Sequence, residues 1–328
     1  MTALALAVLA VVLAWPAPVL LSRARWVRRA PAAAMALWQA VALAGGLAMI
    51  ATPLAWGLAP FGSTLLAAIP GAWTVVAEGD WLGLLTADDL APARIAAVTF
   101  SAVLTVHLLL TLSVTSVRTL RERRRHRRLV DLLAAPQDPA PDVAPLLHRG
   151  TRVLPHDAPV AYCLPGLTGG LTVVSRGLLD QLTGPEVAAV VAHEKAHVRQ
   201  RHDLLRLAFE AWHRAFPWLP TTAVARQAVA SLTEMLADDA ALREHRREDL
   251  VSALARTGGA DILPEMPRDS RDPAAPTPPV AADGAVPITL RLYRLLSPCP
   301  PLPGPLRLGI LAAALAVALI PPALLVTG

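Results

Sequence analysis

The sequence predicts an α-helical membrane protein of four spans, with a folded α+β domain between the third and the fourth. Three observations carry this. Apolar residues make up 54% of the 328 and charged residues only 17%, where an ordinary soluble chain carries about 25% charged. The apolar residues gather into four long, almost uncharged stretches, three of them flanked by arginines. After the third stretch the sequence changes to short β-type runs and amphipathic helical segments. Composition also excludes other classes. The 31 prolines and 19 glycines show no three-residue period, as collagen requires, and a disordered chain needs low hydrophobicity. Cys163 and Cys299 lie far apart without CxxC spacing, so they read as free thiols rather than a disulfide or a cysteine metal site. Net charge is +5, and Lys195 is the only lysine.

A bilayer core about 30 Å thick needs roughly 20 apolar residues of helix. Ala3 to Leu21, Pro31 to Leu58, Ala93 to Val117 and Leu308 to Val326 qualify. Arg23, Arg25, Arg28 and Arg29 follow the first span, and an arginine cluster from Arg118 to Arg128 follows the third. Arginine-rich flanks stay in the cytoplasm. The N-terminus is therefore expected outside, the external loop 59–92 carries the acids Glu78, Asp80, Asp88 and Asp89, and residues 118–305 are cytosolic. Gly328 ends outside. The apolar stretch Pro60 to Ala77 is broken by Pro60, Gly62, Pro70 and Gly71, and a fifth crossing would place the Arg118 cluster outside. It reads as a re-entrant or interfacial loop. The first span lacks a basic leading region and a clear cleavage site, so it reads as retained rather than as a signal peptide. His107 sits among Thr105, Thr111 and Ser113, which points to an interhelical hydrogen bond. The basic run 118–128 reads as an orientation signal that also attracts anionic lipid, with no direct nucleic-acid partner. The expected organisation is three membrane helices in 1–117, a cytosolic domain in 118–258, a Pro/Ala-rich linker and juxtamembrane segment in 259–305, and the fourth membrane helix in 306–328.

Within the cytosolic region, β-type runs at Thr151–Leu154, Val160–Leu164 and Leu171–Ser175 predict a small sheet. Thr183-Gly184-Pro185-Glu186 has the spacing of a capping box, with proline in the first turn. The helix it starts runs into His193-Glu194-Lys195-Ala196-His197. Residues four apart share a helix face, so both imidazoles can hold one metal. This HExxH pattern suits Zn2+, which takes neutral imidazole nitrogens, and Glu194 is placed to act on the attacking water as general base. A catalytic zinc has three protein ligands and an open position. His202 and Asp203 are not preceded by the glycine that would turn the chain back, so the helix is expected to run straight on. A second helix, read from Thr222 to Arg247, carries Glu234 and Asp238 on one face. Glu234 is the expected third ligand, and Asp238 the residue that fixes the tautomer of a liganding histidine. His202, His213 and Arg243 are open candidates for an oxyanion donor. Trp212, Phe216 and Trp218, beside Pro217 and Pro220, are expected to turn the chain between the two metal helices.

Thr168 through Leu179, Glu186 through His197 and the Glu234-x-x-x-Asp238 pair together resemble the gluzincin peptidases, built on a sheet strand, an HExxH helix and an ExxxD helix. With three spans before that domain and one after, the chain resembles the BlaR/MecR-type integral membrane zinc metallopeptidases. The chain is expected to lack the C-terminal penicillin-binding sensor domain of the antibiotic-sensing members. The heat-shock membrane peptidases of the HtpX type share the motifs with a different span pattern. The resemblance implies a gluzincin-type zinc peptidase domain between the third and fourth spans of a multi-pass plasma-membrane protein. Zinc would be its cofactor, and its protein substrate would be cytosolic or membrane-proximal, a transcriptional repressor being one possibility. Strand Leu171–Ser175 is expected to bind an extended substrate by edge pairing. Two alternatives stay open: a signalling scaffold with structural zinc and no proteolysis, and an HtpX-like quality-control peptidase.

Overall fold

The computed structural model describes residues 1–79, 90–133, 151–164, 171–257 and 288–327. Asp80, Asp88, Asp89, Thr168 to Gly170, the expected linker at 259–287 and Gly328 lie outside the described residues. The chain forms two compact units. The first, called here the helix unit, comprises Met1–Ser113, Ala211–Ala225 and Pro301–Gly328; the second, the sheet unit, comprises Val114–Glu210 and Arg226–Pro300.

In the helix unit, α1 (Thr2–Ala14) and α2 (Pro16–Arg23) form one 22-residue apolar stretch broken at Trp15, followed by α3 (Pro31–Leu58) and α4 (Leu65–Glu78). The helix α5 (Ala91–Leu133) begins in this unit, and α12 (Gly304–Thr327) closes it. Four helical stretches are long and apolar enough to cross a membrane: Thr2–Arg23, Pro31–Phe61, Ala91–Leu132 and Gly304–Thr327. α4, at 14 residues, spans only about 21 Å at 1.5 Å per residue, short of a 30 Å core. Buried alanines of α3, among them Ala40, Ala44 and Ala48 at intervals of four, form a smooth stripe. Small residues let helix backbones approach where lipid offers no hydrophobic drive, and α3 packs with both α1 and α12 through Leu13, Val41, Ala44 and Val317. Large apolar side chains such as Leu4, Val11, Leu311 and Leu315 stay on the outer surface.

Prolines leave helical carbonyls without donors, and hydroxyls supply them. Pro18 has no N–H for the Ala14 carbonyl, and Thr221 Oγ1 donates to it at 2.6 Å. Elsewhere in the unit, Ser101 Oγ donates to the Ile50 carbonyl at 2.8 Å. His107 Nε2 donates to the Ala215 carbonyl at 3.2 Å, the interhelical bond expected of it. Trp212 and Phe216 pack with Leu104 and Leu108, while Trp218 is exposed.

The sheet unit is built on three strands, β1 (Thr151–Leu154), β2 (Ala161–Leu164) and β3 (Leu171–Ser175), in the order β1-β3-β2. β1 runs parallel and β2 antiparallel to β3. The centre position suits β3, whose five residues are all buried. Val173 packs with Val130 on one face, and Val174 packs with Leu178, Val187 and Val191 on the other. The expectation that β3 offers its edge to a substrate is therefore corrected: both of its edges are occupied, and β1 and β2 present the outer edges of the sheet among the described residues.

Ser175 caps α6 (Arg176–Gln181), its Oγ accepting from Leu178 N–H at 3.2 Å. Only glycine fits at 177, because a Cβ there would collide with the Asp157 carbonyl. The capping box starts α7 (Gly184–Arg199), with Thr183 N–H donating to Glu186 Oε2 at 2.7 Å. Glu186 also accepts from Ser252 Oγ on α10 (Arg247–Thr257), which ties the two helices together. Two expectations about helix length fail. α7 stops at Arg199, and Arg201 turns the chain at φ 52° before α8 (His202–Ala215) begins. No glycine signals this turn, and a non-glycine residue there costs about 1–2 kcal/mol. α9 (Pro220–Ala241) ends six residues before Arg247, and a turn leads into α10. Finally, α11 (Ile288–Leu296) belongs to the sheet unit, which reaches Pro300 rather than ending at 258. Leu295 is buried with Ala189, Ala241, Leu250 and Leu254, so α11 is part of the core and not a connecting segment.

Candidate metal centre

The HExxH face of α7 and the middle of α9 converge. His193, His197 and Glu234 present ligand atoms within 4.8 Å of one another, the one such group of three among the described residues. The two Nε2 atoms are 3.2 Å apart. Glu234 offers Oε2 to His193 Nε2 at 3.4 Å and Oε1 to His197 Nε2 at 3.5 Å. A tetrahedral ion with bonds of about 2.0–2.1 Å spaces its ligands by about 3.3 Å, so the donors stand where zinc would hold them. Their chemistry, two imidazoles and a carboxylate, fits zinc as well.

Each imidazole turns Nε2 towards the other ligands and is held from behind through Nδ1. His193 Nδ1–H donates to Asp238 Oδ1 at 2.9 Å, and Asp238 is 1% exposed. Behind His197, the consistent assignment runs outward: its Nδ1–H donates to His202 Nδ1 at 2.9 Å, and His202 Nε2–H donates to Gln200 Oε1 at 3.1 Å. His202 thus backs a ligand instead of replacing one, and the turn at Arg201 is what brings it there. Asp203 pairs with Arg123 Nη1 at 2.6 Å. His213 belongs to the helix unit and meets Thr222 Oγ1 at 2.9 Å, and Arg243 is exposed.

Arg291 on α11 is the member of the site that sequence reading missed. Its Nη2 and Nε donate to Asp238 Oδ1 and Oδ2 at 2.6 and 3.1 Å, and its Nη1 lies 3.3 Å from Glu234 Oε2. Nη2 also stands 3.2 and 3.4 Å from the two ring nitrogens of His193. Arg294 makes the neighbouring pair with Asp239, donating from Nη2 at 2.7 and 2.9 Å. The local signal was a pair of arginines at i and i+3 in a short amphipathic run; their partners are more than fifty residues away in sequence.

The electrostatics show how strongly this pocket attracts positive charge. Burial disfavours the charged form of His193, yet hydrogen bonds to Asp238 and Glu234 raise its pKa to about 9. His197 is lowered to about 4, first by burial, as suits a neutral ligand. Burial works against the Glu234 carboxylate as well, but the bond from His193 and the charges around it hold Glu234 down at about 2. Glu194 is raised to about 7, by burial first and with a contribution from Glu234, while a hydrogen bond from the Cys163 backbone N–H opposes the rise. A carboxylate poised near neutrality suits proton transfer. Burial also raises the Cys163 thiol, which keeps it protonated and unreactive.

Fold and site together define a sheet-and-helix unit whose HExxH centre could hold a metal ion, joined to long apolar helices. Residues 120–255 match the model of peptidase family M48, which supports a zinc metallopeptidase of the M48 type for that stretch. The match does not extend to the BlaR/MecR-type likeness drawn from the motifs and spans. Neither the search of curated proteins nor that of solved structures found a match.

Proposed function

We propose that the protein is a multi-pass membrane zinc endopeptidase that cleaves a cytosolic or membrane-proximal protein, a transcriptional repressor among the possible substrates. The observation that carries this reading is the triangle of His193, His197 and Glu234 donors at zinc spacing, with Glu194 beside it. Zinc, when bound, polarises the scissile carbonyl and acidifies water. The chain's own residues do the rest. Glu194 takes a proton from the attacking water and passes it to the leaving amine. Asp238 keeps His193 in the tautomer that leaves Nε2 free, and Arg291 holds Asp238 in place with two hydrogen bonds. The open edge of β2, whose Cys163 N–H already meets Glu194, is the edge on which an extended substrate would add as a strand. A structural zinc site has no use for a carboxylate at position 194, which favours the enzyme over the scaffold reading. Proteolysis of an unfolded protein by the purified, zinc-loaded chain tests the function.

The arginine clusters support a cytosolic sheet unit and an external loop 59–92. In intact cells, a variant lacking Cys163 and Cys299 is expected to react with an impermeant thiol reagent when cysteine replaces Glu78, and not when it replaces Glu248. The reverse labelling pattern overturns the orientation and the cytosolic substrate class together.

A further inference from the structure

Beside His197 lies a cavity of about 420 Å³ whose wall includes Arg123, Arg206 and Arg226, the acids Asp203 and Glu210, and Cys163 of the β2 strand. All of these belong to the sheet unit. Two of the arginines are neutralised within the wall: Arg123 donates to Asp203 at 2.6 Å and Arg226 to Glu210 at 3.2 Å. Arg206 takes part in neither pair. Three guanidiniums against two carboxylates therefore leave the wall with a surplus of one positive charge.

Resting on the peptidase reading, we infer that this cavity is a substrate subsite for a carboxylate, which Arg206 receives. It is reached from the site in one step. Cys163 and His197 line it, so a peptide laid along the β2 edge and across the histidines would deliver a side chain close to the scissile bond into it. The preferred substrate then carries Asp or Glu beside the cleaved bond, or ends there in a free C-terminal carboxylate. Apolar side chains are disfavoured, because they would cover Arg206 without pairing its charge.

The test uses the full chain in detergent with zinc bound and a set of fluorogenic peptides. Glu is compared with Gln at each position flanking the bond, and a free C-terminus is compared with its amide. A charge-assisted hydrogen bond of about 1.5 kcal/mol corresponds to about tenfold, so kcat/KM is expected to be about tenfold higher for the carboxylate-bearing member of one pair. Which pair responds tells a side chain from a terminus. Arg206→Glu should invert the preference towards Lys, and Arg206→Ala should abolish it. Cleavage without any preference for carboxylate, or a preference that survives Arg206→Glu, overturns the subsite and leaves the peptidase reading standing. If the zinc-loaded chain cleaves none of the peptides, the peptidase reading fails first. Binding of the Glu and Gln peptides to Glu194→Gln, followed by fluorescence anisotropy, then decides the subsite separately, since equal affinity overturns it.

Discussion

The two units of this chain place polar groups in their interiors in opposite ways. In the helix unit, Thr221 lends its hydroxyl to the Ala14 carbonyl, which Pro18 leaves without a donor, Ser101 donates to the Ile50 carbonyl, and small residues bring the helices together. In the sheet unit the buried polar groups are ionised and paired: Asp238 with Arg291, Glu186 with Ser252 and Thr183, Glu234 with Arg291 and His193. The difference accords with the apolar composition of the long helices in the first unit. A neutral polar group inside needs only a hydrogen bond to be satisfied, whereas an ionised group is buried at least cost where a network meets it, and such a network can hold a metal.

The comparison can be broken at three points. The largest effect is expected from Arg291→Ala, which leaves Asp238 buried without its bidentate partner and should destabilise the sheet unit by about 3 kcal/mol. Lysine at 291 should recover only part of this, since it lacks the planar fork. The seven tryptophans among the described residues all fall in the helix unit. Tryptophan fluorescence should therefore follow that unit almost unchanged in the variant, while hydrogen exchange in α9 accelerates.

Glu186→Gln is expected to cost the sheet unit less, about 1–2 kcal/mol near pH 7, and to change its response to acid. Although burial pushes the Glu186 carboxyl up, bonds from Ser252 and Thr183 hold it below its usual value. A depressed carboxylate contributes stability above its unfolded pKa, about 4.3, and loses it as pH falls through the lower folded value. The variant should accordingly show a shallower loss of stability below about pH 4 in urea unfolding followed by exchange. Smallest of the three is Thr221→Val. A neutral interhelical hydrogen bond in lipid averages about 0.6 kcal/mol, and here the tryptophan signal should report the shift.

The parts of the fold and site that were legible in the sequence are the ones written locally. Helical periodicity put His193 and His197 on one face, capping chemistry placed the start of α7 within a residue, and short β-type runs marked the three strands. Arg291 was not legible because nothing near Ile288–Leu296 records that its partner is Asp238; that contact forms only when Leu295 docks against Leu250 and Leu254. The turn at Arg201 escaped for a similar reason. A left-handed residue without glycine is imposed by packing, not by propensity, and with it went the placement of His202 behind His197. Strand order is non-local too, so the sequence could supply β3 without showing that β2 lies outside it.

The central claim is that Glu194 acts on water beside a metal held by His193, His197 and Glu234. Zinc content and proteolytic turnover, measured together on the purified wild type, Glu194→Gln and Glu234→Ala, test it most directly. The account predicts that Glu194→Gln keeps its zinc while turnover falls by about 10²–10⁴-fold, and that Glu234→Ala loses both. Full zinc and turnover in Glu234→Ala, or undiminished turnover in Glu194→Gln, would contradict it.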